Sequence, residues 1–304
     1  MWVSQGFRMD TVDLLQPFLL ERAGVRGAIV RLGPAWREVA ARQDYPAPVR
    51  ALLGEALAAS ALLTAHVKLQ GALSLELKSR GPLRLLFAEC TDAGRVRGLA
   101  RLAEDGWVGD PTALDLAAQP EALLALTLGS VESGTRYQGL VAIREPRLAG
   151  ALEGYFAQSE QLPTRIVLAA GERVAAGILL QQLPGNDVDD EDAWPRIGHL
   201  TSTLTPTELL ELPPERLLTR LYHEERPRVF PIRTLAFGCS CSRARVEAML
   251  RVLGPAEIQA ALDARDGEIE VTCEFCAARY TLDAIDAGRL LASAPSAPAS
   301  STPH

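Results

Sequence analysis

Four of the five cysteines in this chain stand in two tight pairs near its end, Cys239-Ser-Cys241 and Cys273-Glu-Phe-Cys276, with 31 residues between them. That interval is long enough for a small folded unit to bring both pairs to one point. Four converging thiolates suit Zn²⁺, which takes sulfur ligands in a tetrahedron, and a closed shell of four sulfurs is a structural site rather than a catalytic one. A single Cys-X-X-Cys reads equally as a chance pair or a redox dithiol; two pairs together favour one zinc ion held by Cys239, Cys241, Cys273 and Cys276. The first pair also suits a reversible switch. A disulfide between thiols two residues apart would approach the upper limit of Cα separation, about 7 Å, and strained disulfides are easily reduced.

The residues around the pairs predict the elements that position them. Ser242 is placed to cap a helix whose apolar positions, Val246, Met249, Leu250 and Leu253, follow 3-1-3 spacing before Gly254-Pro255 ends it. A second short helix carries Ile258, Ala261 and Leu262. Asp266-Gly267 then turns the chain into an alternating strand, Ile269, Val271, Cys273, with Tyr280 and Leu282 on the return strand, so that Cys-Glu-Phe-Cys becomes the knuckle of a hairpin. A unit this small has too little core to be comfortably stable alone. Structural zinc contributes an apparent ~10 to 16 kcal/mol to folding, comparable with the ~5 to 15 kcal/mol stability of a whole domain, so losing the metal should melt it.

The remainder of the 304 residues, 48% hydrophobic overall, can bury a substantial core. The net charge of −7 gives no basic footprint for nucleic acid, and only Lys68 and Lys78 are lysines. The first thirty residues hold no uninterrupted apolar segment, and the Ala/Leu-rich stretch from Ala51 to Val67 is broken by Glu55 and His66, so it reads as a buried helix rather than a membrane span. A cytoplasmic protein with no membrane partner is expected, in a compartment that preserves thiols and zinc thiolates.

Along the chain, residues 9–185 alternate strand-like segments (Gly27 to Leu32, Leu73 to Leu77, Leu83 to Ala88, Gln138 to Ile143, Arg165 to Leu168, Gly177 to Gln181) with helices, the clearest from Pro48 to Leu69 and from Pro146 to Gln161. This predicts an α/β or α+β domain. Residues 186–236 change character. The acidic run Asp187, Asp189, Asp190, Glu191 and Asp192 precedes Thr205-Pro-Thr-Glu208, a capping box with Pro at the first helical position, and a second helix from Pro214 to His223. There Leu217, Leu218 and Leu221 form one apolar stripe. Residues 237–291 form the zinc-binding unit, and residues 292–304, rich in Ser, Ala and Pro, form a tail expected to be disordered.

Other reactive residues point nowhere in particular. His66, His199, His223 and His304 are scattered singly and read as surface or packing residues. Cys90 reads as a small buried hydrophobe. Ser159-Glu160-Gln161 reads as a solvated or capping cluster, and Arg22, Arg26 and Arg31 as scattered surface arginines rather than an anion site. No triad or phosphate loop is visible, no catalytic residue is assigned, and an enzyme is not expected.

Phe237-Gly-Cys-Ser-Cys-Ser-Arg243, followed by Val271-Thr-Cys-Glu-Phe-Cys276 and Tyr280, resembles the zinc centre of the redox-regulated chaperone family of heat shock protein 33. Upstream, Tyr137-Gln-Gly-Leu-Val141, Tyr155-Phe-Ala-Gln-Ser-Glu-Gln161 with Thr164, Gly177-Ile-Leu-Leu-Gln181 and Leu217-Leu-Thr-Arg-Leu-Tyr-His-Glu224 resemble segments of that family in the same order. The resemblance covers roughly residues 9–291; Met1 to Arg8 and the tail fall outside it, and Leu282 stands where the family more often has an aromatic. It implies a substrate-binding N-terminal domain, a metastable helical linker and a zinc-bound sensor. It further implies a holdase for unfolding client proteins that needs no ATP, is inactive when reduced, and is active as a homodimer with Cys239-Cys241 and Cys273-Cys276 disulfides. In that scheme Leu217, Leu218 and Leu221 latch the linker.

Two other classes compete. A zinc-ribbon nucleic-acid binder needs a basic face, yet residues 239–291 hold six arginines against nine acidic residues. A thiol-disulfide oxidoreductase needs one exposed, low-pKa cysteine in a thioredoxin-like setting, which the late hairpin does not offer. If the four cysteines hold one zinc, metal analysis of the reduced protein returns one equivalent, and a Cys241→Ser, Cys276→Ser double variant loses it; full zinc content in that variant would refute the site.

Overall fold

The computed structural model describes residues 11–66, 70–107, 109–110, 114–130, 136–184, 190–265 and 267–292. Met1 to Arg8, Lys68, Asp187, Asp189, Asp266, the tail from residue 293 and His304 lie outside them. The chain divides into two compact units, the first ending at Gly238 and the second beginning at Cys239. The architecture mixes helices and sheets, as the alternation predicts.

In the first unit, β1 (Asp13–Leu20), β2 (Val25–Leu32), α1 (Pro34–Ala40) and α2 (Ala47–Thr64) are followed by β3 (Gly71–Lys78), β4 (Leu83–Thr91), β5 (Arg95–Leu102), β6 (Leu123–Ser130) and β7 (Arg136–Ala142). Then come α3 (Leu148–Tyr155), β8 (Thr164–Ala170), β9 (Ala175–Gln182), α4 (Ala193–Ser202), α5 (Pro206–Glu211) and α6 (Pro214–Tyr222). Three two-residue strands complete it, β10 (Arg228–Val229), β11 (Arg233–Thr234) and β12 (Ala236–Phe237). One sheet runs β10-β1-β2-β9-β8 with β11 also on β1; the other runs β12-β5-β4-β3-β6-β7.

Helix α2 contributes to one core with residues of both sheets and is buried on nearly every side, which explains its unbroken apolar composition. It is long and apolar enough to cross a membrane by length and composition, yet most of it is covered by protein, as in a core helix. It ends at Thr64, short of the expected Leu69, and residues 67–69 are not described. β3 alternates buried and partly exposed residues, because only one face of its sheet meets α2. β9 is buried along almost its whole length. The other face of its sheet is covered by α4, α5 and α6, which pack Ile197, Leu209, Leu217, Leu218, Leu221 and Tyr222 against Phe18, Val25, Ile29, Ile178 and Leu180 in a second core. The leucine stripe read from the sequence is thus buried.

The capping box forms: Thr205 accepts from the Glu208 amide at 3.2 Å and Glu208 accepts from the Thr205 amide at 3.0 Å. α5 is also held from below. Arg31 is buried, not on the surface as expected, and its guanidinium donates to the carbonyls of Leu209 at 3.3 Å, Leu210 and Leu212. A cation against the free carbonyls at a helix C-terminus satisfies both the hydrogen-bonding need and the helix dipole. A buried hydroxyl pair, Thr201 and Tyr222 at 2.7 Å, ties α4 to α6.

β1 was not expected, because Pro17 interrupts its apolar run. Pro17 pairs in register with Ala28 of β2. Its carbonyl accepts from the Phe230 amide at 3.0 Å, so its proton-less nitrogen faces the same outer side, in the gap between β10 and β11. The buried Gln16 side chain supplies the missing donor to the Phe230 carbonyl.

Replacing Arg31 by Met removes charge-assisted bonds worth about 1.5 to 3 kcal/mol each while keeping most of the side-chain volume. Amide exchange across residues 205–212 is expected to accelerate at least tenfold in Arg31→Met, with protection in β3 and β4 unchanged; uniform exchange across both regions would contradict this seat for α5.

Candidate metal centre

The second unit contains α7 (Arg243–Leu253), α8 (Pro255–Asp263), β13 (Glu268–Thr272), β14 (Arg279–Asp283) and α9 (Ala284–Ala292). Its core is small: Val246, Leu250, Ile258, Leu262, Ile269, Leu282, Ala287 and Leu290. Ser242 caps α7 as expected, its hydroxyl accepting from the Arg245 amide at 3.3 Å. The apolar face is narrower than its spacing suggests, since Met249 and Leu253 are exposed. Helix α9 was not anticipated. It brings Asp286 to Arg243, which also donates to the Thr281 carbonyl at 3.0 Å, so the residue after the first cysteine pair and its cap is tied to the strand after the second.

The hairpin pairs β13 with β14 from Glu268↔Asp283 to Thr272↔Arg279, and Cys273 follows directly. The Cys273 amide donates to the Ala278 carbonyl at 2.8 Å, and the Ala277 amide to the Cys273 carbonyl at 2.7 Å. Ala277 takes a left-handed conformation, φ 58°, the backbone this tight knuckle needs and one uncommon for a residue with a Cβ. The knuckle aims the backbone N–H groups of Phe275 and Cys276 at the Cys273 sulfur, and that of Ala278 at Cys276.

The four sulfurs of Cys239, Cys241, Cys273 and Cys276 all lie within 4.8 Å of one another. Cys239 and Cys273 approach to 3.6 Å, and Cys241 and Cys276 to 3.3 Å. None is disulfide-bonded. A tetrahedron with metal–sulfur bonds of roughly 2.3 Å has sulfur–sulfur edges of about 3.8 Å, so the arrangement fits a four-coordinate ion and can hold a metal. The electrostatics point the same way. The Tyr280 hydroxyl donates to Cys241 at 3.1 Å and, with the neighbouring thiols, brings Cys241 down to about 7 against the cost of burial. Burial pushes Cys273 up and Cys276 up to about 12. Without a cation the four sulfurs cannot all be thiolates together; a bound divalent ion removes the conflict.

The remaining candidates are dispersed. Leu217, Leu218 and Leu221 belong to the first unit, on α6. Cys90 is buried in the first core and its thiol is pushed up to about 11 by burial, as a packing residue should be. His199 and His223 are exposed. Both ring nitrogens of His66, by contrast, are buried without a hydrogen-bond partner among the described residues, which its isolated place in the sequence gave no reason to expect. The contact of Tyr280 with Cys241 was also missed, although alternation placed Tyr280 on the hairpin; only the strand register shows that its hydroxyl meets a sulfur.

A model described as "Hsp33 protein" matches residues 13–283. The "33 kDa chaperonin" of Azotobacter vinelandii is 45% identical over 300 residues, covering 97% of this chain and 100% of that protein, and its namesake from Pseudomonas aeruginosa is 44% identical over the same shares. The crystal structure of a 33 kDa chaperonin, a heat shock protein 33 homologue from Thermotoga maritima, shares the fold with a TM-score of 0.79, covering 92% of this chain and 98% of that one at 23% identity. With its four sulfurs gathered on a hairpin knuckle and a helix cap, and with relatives so named matching almost end to end, the chain belongs to the Hsp33 family of chaperones.

Proposed function

We propose that this chaperone is a redox-regulated, ATP-independent holdase whose sensor is the cysteine cluster. The observation that carries the reading is the gathering of four unbridged sulfurs into one tetrahedron-sized group inside a unit with a very small core. In the reduced state Cys239, Cys241, Cys273 and Cys276 hold one Zn²⁺, which supplies the folding free energy that the core lacks.

Zinc keeps the sulfurs as thiolates, the form that oxidants attack. Peroxide accepts two electrons from each pair of thiolates; one sulfur–sulfur bond forms per pair, the oxygen–oxygen bond breaks, and zinc is released. The pairing taken from the family resemblance is Cys239 with Cys241 and Cys273 with Cys276. The shortest sulfur distances run across the pairs, from Cys239 to Cys273 and from Cys241 to Cys276, so peptide mapping has two patterns to distinguish. Unfolding of the sensor is then the signal.

Residues 186–236 act as the linker, and their latch is the face of α6 with Leu217, Leu218 and Leu221, all at most 3% exposed. Release of these helices uncovers the apolar face of the sheet beneath them for unfolding clients. Residues 9–185 supply the rest of the client surface, the active form is a homodimer, and the protein works in the cytoplasm without nucleic acid, membrane or catalysis.

Peroxide with mild heat should convert the zinc-loaded protein into a zinc-free form with two intrapair disulfides that suppresses light scattering by a heat-denaturing client without ATP. Oxidised, zinc-free protein that leaves scattering unchanged ends the holdase reading. The latch is tested separately. Burial of one leucine is worth about 2 to 3 kcal/mol, and a carboxylate in its place adds a desolvation penalty. Leu221→Asp is therefore expected to hold clients in excess reductant with zinc still bound; a folded, zinc-loaded and inactive variant would show that α6 is not the latch.

A further inference from the structure

The redox proposal leaves several of the family segments unused, and they converge in the first unit. Tyr137, Tyr155, Phe156, Glu160 and Gln181 all line one cavity of about 360 Å³. Its walls are completed by Leu63 of α2, Leu73 of β3, and Leu126 and Leu128 of β6, so most of its lining is apolar. Two polar groups in it are incompletely matched among the described residues, one in hydrogen bonding and one in charge. His66 reaches the cavity with neither ring nitrogen hydrogen-bonded among the described residues. Arg26 donates through Nε to Gln181 Oε1 at 3.0 Å, and Gln181 is oriented in turn by its own donation to Thr164 at 3.1 Å. An amide oxygen does not neutralise a guanidinium. No ion pair reaches Arg26 from a carboxylate among the described residues, and burial lowers its pKa. Glu160 is hydrogen-bonded by the Tyr155 hydroxyl at 3.2 Å and forms no ion pair with Arg26.

A cation without a counter-ion and an imidazole without a hydrogen bond among the described residues, beside a leucine wall, describe a ligand with a small anionic head and an apolar body. Pockets of roughly 300 to 1,000 Å³ with a few convergent polar groups are typical of small-molecule sites. We propose that this cavity binds a medium-chain aliphatic or aryl-alkyl carboxylate, its head between Arg26 and His66 and its tail along Leu73, Leu126 and Leu128. The carboxylate supplies the counter-charge that Arg26 lacks and accepts the N–H of His66. Burial and the charge of Arg26 hold that imidazole down to about 3, so it is a neutral donor at ordinary pH. The tail replaces water in a space that water wets poorly. This site is separate from the cysteine cluster and does not depend on its redox state.

The test uses the full-length, reduced, zinc-loaded protein titrated with sodium octanoate, followed by calorimetry and by side-chain resonances of labelled histidine. One saturable site is expected, with the His66 signals shifting and those of His199 and His223 still. Octanol, which has the same tail without the charge, should bind at least about tenfold more weakly, and Arg26→Met should weaken octanoate by a similar factor. If Arg26→Met does not fold, the octanoate and octanol titrations of the wild type decide alone. Absence of saturable octanoate binding at millimolar concentration, equal binding of octanol, or a folded Arg26→Met that binds octanoate normally would each overturn the proposal.

Discussion

Four sulfurs held within 4.8 Å of one another are the constraint around which the C-terminal unit is arranged. Negative charges packed this closely repel one another, and burial pushes the Cys273 and Cys276 thiols up. The hairpin knuckle, the Ser242 cap and the Arg243 ties to Thr281 and Asp286 fix where the sulfurs lie, but they do not resolve the charge conflict. A divalent cation resolves it. A metal bound here would tie the stability of the unit to the four sulfurs themselves.

In the first unit the stabilising contacts are uneven. Helix α2 joins both sheets in one large apolar core, a packing that would have to break as a whole. The helices α4 to α6 cover one sheet face through a smaller core, the Thr201–Tyr222 hydroxyl pair and the Arg31 seat under α5. Elements attached by fewer apolar contacts open at lower free energy than the global transition. The chain thus places a large, jointly packed core beside a covering layer held by a smaller one.

Much of this was legible in the sequence where one rule acted alone. The two cysteine pairs, the Ser242 and Thr205 caps, the leucine stripe of α6 and the alternation of the cysteine hairpin each follow from spacing, and the family motifs extended the reading. Legibility failed where two rules competed or where the third dimension decides. Pro17 hid β1 because proline argues against a strand, and only the gap between β10 and β11 shows why it is tolerated. Arg31 looked like a surface charge, since nothing local says that a helix end from nearly two hundred residues away will lie on it. The narrow face of α7, with Met249 and Leu253 exposed, reflects how few elements the small unit has to cover its helices. His66 and Arg26 carry no spacing signal at all; their shared cavity is a product of topology.

The proline in β1 has a bearing on how the rim of its sheet meets other chains. A bare strand at the rim of a sheet offers a row of amides and carbonyls onto which a foreign strand can zip, and natural sheets avoid this with prolines and short partners. On the outer side of β1 both devices are present, two-residue partners and a position with no amide to offer, while the donor that replaces it belongs to the Gln16 side chain rather than to the backbone. Even with β10 and β11 displaced, no continuous ladder can grow past Pro17. This side of β1 is therefore a poor template for a foreign strand.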